Sequence, residues 1–299
     1  MINDRGYIQT EQQNPDSQGL DRLAIVDAVR LMNREDNKAV EAVGREAEAI
    51  AQAARMAADA FSAGGRLIYV GAGASGRLGV LDAAECPPTF STDPAMVVGV
   101  IAGGAAALQR PVEHAEDDPG AGAAAMRERH VAAADVVVGI AAGGTTPFVH
   151  GAIEEARRLG AKTIFLTCTA REHIRVPADL FICLPTGPEV IAGSTRLKAG
   201  TATKTVLNII STLAMVQIGK VYGNVMVDLD AKTSDKLVDR AARILMQLTG
   251  LARAEALYLL TRAEGKVKRA VVMHRRRCRP EEADALLAGA GGRLRDIIE

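Results

Sequence analysis

Aromatic residues and cysteines are scarce in this sequence. Phe, Tyr and Trp together make up 3% of the 299 residues, with no Trp, and four cysteines are present. Proteins that bind single-stranded nucleic acids stack the bases on aromatic rings, so this composition argues against that class. The cysteines form no CxxC pair and no zinc-site spacing, which indicates isolated thiols in a reducing compartment. They are Cys86, Cys168, Cys183 and Cys278.

An excess of charge of either sign is absent as well. The 36 Lys and Arg residues balance 36 Asp and Glu residues, so the formal net charge is zero. Coating of nucleic acid depends on clustered positive charge, and this balance therefore argues against a nucleic-acid partner. Because 48% of the residues are hydrophobic, the chain is not expected to be disordered and can bury a sizeable core.

No hydrophobic run is long enough to span a membrane. The longest charge-free runs, residues 94–109 and 136–153, contain Gly, Pro, Thr or His and are typical of buried strands and loops. The polar N-terminus lacks the apolar segment of a secretory signal peptide. We therefore expect a cytoplasmic protein with no membrane partner.

Short β-branched segments alternate with helical segments in the middle of the chain. Strands that are apolar throughout and separated by helices form parallel sheets covered on both faces. Five such segments predict an α/β fold with a doubly wound parallel sheet of flavodoxin-like order. The predicted strands are Leu67–Val70, Met96–Ile101, Val136–Ile140, Thr163–Thr167 and Leu180–Leu184.

Helical patterns flank the predicted sheet. A polar arm over residues 1–18, from which Glu11 and Asn14 could reach a neighbouring subunit, precedes them. Between residues 20 and 61 the apolar spacing predicts two helices with a break near Asp36-Asn37. Further helices are predicted over Pro147–Leu159 and about Thr201–Ile218. The predicted parts are an N-terminal arm with helices over 1–60, a sheet domain over 61–228 and a small helical domain over 229–299.

Three connections between strands and helices are rich in glycine and hydroxyl groups. The first, GAGASGRLG at 71–79, fits G-x-G-x-x-G, but the second strand ends without the carboxylate that holds a ribose in dinucleotide sites. Backbone N–H groups in such a turn can still approach an anion at a helix N-terminus. The others are AAGGTTP at 141–147 and GSTRLKAGTATK at 193–204.

These loops are expected to meet at one edge of the sheet. They follow the carboxyl ends of parallel strands, where open α/β sheets bind their ligands. Together they predict a site for a phosphorylated small molecule. Two alternatives stay open: a tight turn without a ligand at 71–79, and helix capping by Thr145 and Thr146.

Three longer segments carry a family resemblance that extends over essentially the whole chain. They are GAGASGRLGVLDAAECPPTF at 71–90, VEHAEDD at 112–118 and GPEVIAGSTRLKAGTATK at 187–204. These segments resemble the N-acetylmuramic acid 6-phosphate etherase family. Its phosphosugar-binding part is a sugar isomerase (SIS) domain, related to the glucokinase regulatory proteins. The last part of the chain resembles a ubiquitin-associated-like (UBA-like) bundle of helices.

The resemblance implies a homodimeric lyase that acts on a phosphorylated amino sugar of the bacterial cell wall. The enzyme would cleave the D-lactyl ether of N-acetylmuramic acid 6-phosphate during peptidoglycan recycling, with neither a metal nor an organic cofactor. The products would be N-acetylglucosamine 6-phosphate and D-lactate. The implied catalytic residues are Glu85 and Glu116. The expected substrate contacts are Gly73, Ser75, Gly76, Glu113, Thr146, Ser194, Thr195 and Lys198.

Two carboxyl groups suit this chemistry. Opening the sugar ring gives an aldehyde at C1, which makes the C2 proton acidic. A base removes this proton, an acid protonates lactate as it leaves C3, and water then adds to C3. We assign leaving-group protonation and water activation to Glu85, and proton removal at C2 to Glu116.

The sequence departs from the commonest family pattern in the phosphate loops. Ala74, Gly143-Gly144-Thr145 and Ala192 replace residues with more hydrogen-bonding side chains. Each lost bond to a charged group removes about 1.5–3 kcal/mol, so phosphate affinity is expected to suffer more than the acid–base pair. Two other functions are weighed against the lyase: a non-catalytic sugar-phosphate sensor like the glucokinase regulatory protein, and an aldose–ketose phosphosugar isomerase.

Overall fold

A computed structural model describes residues 6–229, 231 and 235–299. Residues 1–5, 230 and 232–234 of the predicted parts lie outside the described residues. The chain divides into two compact units. The larger consists of the residues up to Ala84 together with Pro94–Ser211, and the smaller of Glu85–Asp93 together with Thr212–Glu299. The predicted boundaries after residues 60 and 228 stay predictions.

A parallel sheet of five strands forms the centre of the larger unit, as predicted. Its strand order is β2-β1-β3-β4-β5, so the order in which strands are added reverses between β1 and β3, as in a flavodoxin-like sheet. Every residue of β1 and β3 is buried, which explains their unbroken apolar sequence. The strands are β1 Leu67–Gly71, β2 Val97–Ile101, β3 Val136–Ile140, β4 Lys162–Thr167 and β5 Leu180–Cys183.

Two helices precede the sheet, but the predicted break between them is wrong. Helix α1 spans Ile25–Arg45 and α2 spans Ala47–Ser62, so the chain bends at Glu46 and continues as helix through Asp36-Asn37. Asp and Asn are weak helix formers, yet relative to alanine each costs only about a few tenths of a kcal/mol in a helix. Burial of Ala39, Ala42 and Val43 in the same helix outweighs this cost.

Four more helices belong wholly or in part to the larger unit. Helix α5 begins at Pro147, its predicted start. Helix α4 approaches α5 so closely that two glycines are required. A Cβ at Gly122 would lie 1.9 Å from the Phe148 carbonyl oxygen, and one at Gly151 would lie 2.0 Å from that of Pro119. The helices are α3 Gly73–Phe90, α4 Pro119–Glu128, α5 Pro147–Arg158 and α6 Lys198–Gln217.

The smaller unit is mainly helical, which confirms the predicted helical C-terminal region, although its UBA-like character stays a prediction. Its apolar core includes Leu245, Leu260 and Val271. No helix among the described residues is both long and apolar enough to cross a bilayer. The elements are a hairpin of β6 Val221–Tyr222 and β7 Val225–Met226, then α7 Asp235–Thr249, α8 Arg253–Arg262, α9 Val267–Arg276, α10 Pro280–Gly289 and α11 Arg295–Ile298.

Candidate functional site

The first glycine-rich turn joins β1 to α3, and its glycines are required for different structural reasons. A Cβ at Gly76 would lie 2.6 Å from Ile101 Cγ1 and 2.7 Å from the Gly71 carbonyl oxygen. Gly76 therefore permits α3 to pack directly on the end of the sheet. Gly73 instead has a φ of +52°, is exposed, and would place a Cβ in open space. Its backbone is consequently accessible at the turn.

A cavity of about 390 Å³ opens at this turn. One side is formed by Ala72, Gly73 and Arg77 of the turn and of α3. The other side includes Glu113 and Glu116 from the acidic segment. The structure thus brings together the first loop and the acidic segment, which are 40 residues apart from Gly73 to Glu113 in the sequence.

The acidic segment is a series of turns rather than a helix. His114 has a φ of +60°, and its Nδ1 lies 3.5 Å from Asp117 Oδ2. The backbone carbonyl of Glu116 accepts a hydrogen bond of 3.0 Å from the Phe148 N–H in the first turn of α5. Asp118 then caps α4, since its Oδ1 accepts from the Ala121 N–H at 3.0 Å. Both ends of the Glu116 region are therefore held while its side chain stays exposed.

The second loop places Thr146 at the start of α5, beside this acidic segment. Thr146 occupies the N-cap position of α5, but its side chain makes no capping hydrogen bond. The alternative that this hydroxyl serves as a cap is therefore wrong for Thr146. The loop is held by the ring of His150, whose Nε2 lies 2.8 Å from the Gly144 carbonyl oxygen. Thr145 and Thr146 are both half-buried.

The third loop forms one connection with the residues before it, so residues 187–198 together make up the third loop of the structure. This loop ends in a helix N-terminus that is already occupied. Glu189 is fully buried, and its carboxylate accepts hydrogen bonds from the N–H groups of Lys198 at 3.2 Å and Ala199 at 2.9 Å. Burial raises the pKa of Glu189, although these two N–H groups favour the ionised form. An anionic ligand cannot use the same two donors. Ser194 and Thr195 remain half-buried in the preceding turn.

Lys198 lies in a buried cluster, although the sequence predicts it as a substrate contact. Its Nζ donates to Glu35 Oε2 at 2.6 Å, and both side chains are only 2% exposed. Glu35 also accepts from Asn14 Nδ2 at 2.8 Å and from Lys38 Nζ. Burial alone would raise the pKa of Glu35, but the hydrogen bonds from Lys198, Lys38 and Asn14 lower it to about 2. The substrate contact of Lys198 stays a prediction.

Glu85 is exposed on α3, next to the buried Cys86. One turn earlier, the Asp82 carboxylate is buried and accepts hydrogen bonds from Tyr69 OH at 2.8 Å and Asn208 Nδ2 at 2.6 Å. This network joins β1, α3 and α6 within the larger unit. Asp82 was not among the predicted site residues, and its only signal is an acid in an otherwise apolar stretch of the helix.

Sequence comparisons identify the family of the chain. The model of the glucokinase regulatory protein N-terminal SIS domain matches residues 48–157, and the SIS domain model matches residues 113–213. An N-acetylmuramic acid 6-phosphate etherase from Nostoc sp. is 56% identical over 99% of this chain and 96% of its own length. The chain belongs to the N-acetylmuramic acid 6-phosphate etherase family.

Other members of the etherase family are similar over the same extent. The relative of that name from Gloeobacter violaceus is 56% identical over 99% of this chain and 96% of its own length. The one from Crocosphaera subtropica is 54% identical over 100% of this chain and 97% of its own length. Such full-length similarity shows that both units of the chain belong to the etherase family. The chain is therefore an enzyme that acts on a sugar phosphate.

Proposed function

We propose that the protein is a carbon–oxygen lyase that cleaves the D-lactyl ether of N-acetylmuramic acid 6-phosphate. The products are N-acetylglucosamine 6-phosphate and D-lactate, and the role is the recycling of peptidoglycan amino sugars in the cytoplasm. The observation that carries this function is the cavity at Gly73, lined by Glu113 and Glu116, in a chain of this family. A cavity of about 390 Å³ has the size of a small-molecule site.

The phosphate is held at the starts of α3 and α5 and by the third loop. Gly73 leaves the backbone at the start of α3 open to an anion, and Gly76 stays a predicted contact although it is buried against the sheet. Thr146 supports this assignment, because its hydroxyl is not used to cap α5. The N-terminus of α6 takes no part, since Glu189 already accepts from its first N–H groups. The proposed contacts are Gly73, Ser75, Gly76, Thr146, Ser194 and Thr195, with Glu113 at the sugar.

The reaction is an elimination followed by addition of water. Glu116 removes the C2 proton of the ring-opened sugar, and the electron pair forms the C2–C3 double bond as the C3–O bond breaks. Glu85 gives a proton to the departing lactate oxygen, then takes one from the water that attacks C3. Return of a proton to C2 completes the product. Both carboxylates are exposed, as groups that exchange protons with substrate and water must be.

A homodimer is part of the same proposal. Along α1, the apolar residues Ile25, Val29, Met32 and Val40 are exposed, and helical geometry places them within an arc of about 80°. Ile25 is 84% exposed, which is unusual for an isoleucine with no partner. We expect Val29→Asp to shift the protein from dimer to monomer in sedimentation experiments. A wild-type protein that sediments as a monomer would contradict the homodimer.

Isotope labelling tests the reaction itself. In H₂¹⁸O, elimination and addition place ¹⁸O at O3 of the sugar, whereas the lactate keeps the original ether oxygen. In D₂O, the C2 position of the product gains deuterium. Lactate that carries ¹⁸O would contradict cleavage of the C3–O bond. Tight binding of the sugar phosphate without lactate release would instead favour the sensor that the sequence left as an alternative.

Substitution of Glu85 tests its assigned role. We expect Glu85→Gln to lower kcat by about 10²–10⁴-fold, the usual contribution of a general acid or base. Binding of N-acetylglucosamine 6-phosphate, measured by calorimetry, should change little. Glu154→Gln, which removes an exposed carboxylate from α5, serves as the matched control. Turnover of Glu85→Gln at the control rate would exclude Glu85 from catalysis.

A further inference from the structure

The third loop is fixed at four points by residues that precede the sheet. Its start, middle and end are each hydrogen-bonded to the N-terminal arm or to α1. Two of the contacts use side chains of the arm, one uses an arm carbonyl, and one is the buried ion pair. They are Asn14 Nδ2 to the Pro188 carbonyl at 3.1 Å, Ser17 Oγ to the Val190 carbonyl at 2.9 Å, the Gly193 N–H to the Thr10 carbonyl at 2.8 Å, and Lys198 Nζ to Glu35 Oε2 at 2.6 Å.

These contacts also change the expectation for the arm. The sequence suggested that Asn14 could reach a neighbouring subunit, but its side chain bonds within its own chain to Glu35 and to Pro188. Its Oδ1 accepts from the Asp16 N–H at 2.9 Å, so both polar atoms of its side chain are engaged. Asn14 therefore connects the α1 carboxylate to the start of the third loop.

One carboxylate thus joins the two ends of the third loop. Glu35 binds Lys198 directly at the end of the loop, and through Asn14 it is linked to Pro188 at the start. Glu189 completes the arrangement by accepting from the backbone N–H of Lys198. The turn with Ser194 and Thr195 lies between these fixed ends.

Burial of this ion pair is a poor source of stability. Removing a carboxylate and an ammonium from water costs roughly several kcal/mol per ion. A protein with apolar residues of similar volume in their place is often just as stable. What a fully satisfied buried pair can supply is one defined arrangement of the segments that it joins. Here those segments are α1 and the third loop. Lys198, the loop member of the pair, follows Thr195 by three residues.

We propose that Glu35 and Lys198 are positioning residues that, with Asn14, hold the third loop in the conformation that binds the sugar phosphate. This role rests on the proposed function, in which Ser194 and Thr195 contact the substrate. Lys198 acts through Glu35 and the loop, and its ammonium does not contact the phosphate.

A direct phosphate contact by Lys198 predicts the opposite response to loss of Glu35. If Lys198 bound phosphate, Glu35→Gln would release its ammonium, and affinity for the sugar phosphate would hold or rise. If Lys198 positions the loop, Glu35→Gln and Lys198→Met should weaken binding alike. Loss of one hydrogen bond to a charged group weakens binding about tenfold or more, so we expect KM to rise about tenfold or more in both variants.

The experiment compares Glu35→Gln, Lys198→Met and the double variant Glu35→Leu/Lys198→Met with Glu41→Gln, an exposed acid on α1. The single variants should raise KM and the Kd for N-acetylglucosamine 6-phosphate, with a smaller change in kcat. The double variant should regain most of the lost Tm, because no buried charge is left unpaired, while KM stays raised. Amide hydrogen exchange of residues 190–197 should be faster in all three variants than in the control.

Two results would overturn the positioning role. One is a KM for Glu35→Gln at or below that of the wild type. The other is a double variant in which KM recovers together with Tm, as for a purely structural pair. Asn14→Ala, which keeps the ion pair, covers the case in which single variants fail to fold, and it should raise KM in a protein that still folds. Wild-type protein that releases no lactate would contradict the proposed function, whereas the affinity and exchange measurements still decide the role of the loop.

Discussion

The first turns of α3 and α6 follow loops of similar composition, yet the two helix starts differ in what they offer a ligand. At α3, Gly73 is exposed beside a cavity of about 390 Å³ that Glu113 and Glu116 also line. At α6, the carboxylate of Glu189 is fully buried and accepts from the N–H groups of the first turn. One helix start is therefore open to an anion and the other is closed by the protein itself.

This difference shows that a glycine- and hydroxyl-rich loop before a helix is an incomplete criterion for a phosphate site. The partial positive charge of a helix N-terminus stabilises any nearby anion, whether a carboxylate of the protein or the phosphate of a ligand. At α6 that group is Glu189, which belongs to the same loop, and Lys198 is neutralised by Glu35 from α1. In the proposed function, the loop before α6 therefore contacts the ligand through Ser194 and Thr195 rather than through the helix start.

The largest expected effect concerns the open helix start. We expect Glu116→Gln to lower kcat by about 10²–10⁴-fold with little change in KM, because the amide cannot take a proton from C2. Asp117→Asn is the matched control, since it removes the neighbouring exposed acid of the same segment. Steady-state rates of lactate release measure both. Equal losses in the two variants would show that the charge of the segment matters rather than Glu116 itself.

The closed helix start should be visible in the pH dependence of stability. The pKa of Glu35 is lowered from 4.5 to about 2, so its ionised form is favoured in the folded state. The contribution of Glu35 to the free energy of unfolding is fully present above pH 4.5 and is lost as the pH falls toward 2. We expect urea midpoints of the wild type to fall more steeply through this range than those of Glu35→Gln. Parallel curves for the two proteins would contradict the assignment.

Glu189 provides a comparison of opposite sign at the same helix start. Because burial raises its pKa above the usual value, the folded state binds its proton more tightly than the unfolded state. Its contribution to stability is present at low pH and is lost as the pH rises through the raised pKa. Glu189→Gln should therefore remove a decline in stability on the alkaline side of pH 4.5, where Glu35→Gln has no effect on the slope.

The sheet could be predicted from sequence, whereas the closed helix start could not. Strands β1 and β3 are short apolar runs that are buried on both faces, so local composition was sufficient for their location. The Glu35–Lys198 pair joins residues 163 positions apart, and no local pattern indicates it. The buried apolar face of α1 explains why the helix continues through Asp36-Asn37. The β6–β7 hairpin was missed because its strands have only two residues each.

The site residues divide in the same way. Gly73 and Gly76 could both be predicted from the G-x-G-x-x-G spacing, but only the structure separates the exposed turn from the close contact with the sheet. Lys198 had the sequence context of a phosphate ligand, a basic residue after two hydroxyl groups at a helix start. Its burial against Glu35 depends on how α1 packs, which the loop sequence does not encode.

The smallest expected effect concerns the second loop, residues 141–147. Thr10 Oγ1 is buried and has no hydrogen-bond partner among the described residues, and a Cβ at Gly143 would lie 3.8 Å from it. The φ of Gly143 is outside the left-handed region, so a side chain fits there without backbone strain. Gly143→Ser should raise the free energy of unfolding by about 0.5–1.5 kcal/mol more than Gly143→Ala, because only serine can bond to Thr10. Urea unfolding of both variants measures this difference, and equal stability would show that the Thr10 hydroxyl stays unpaired beside serine.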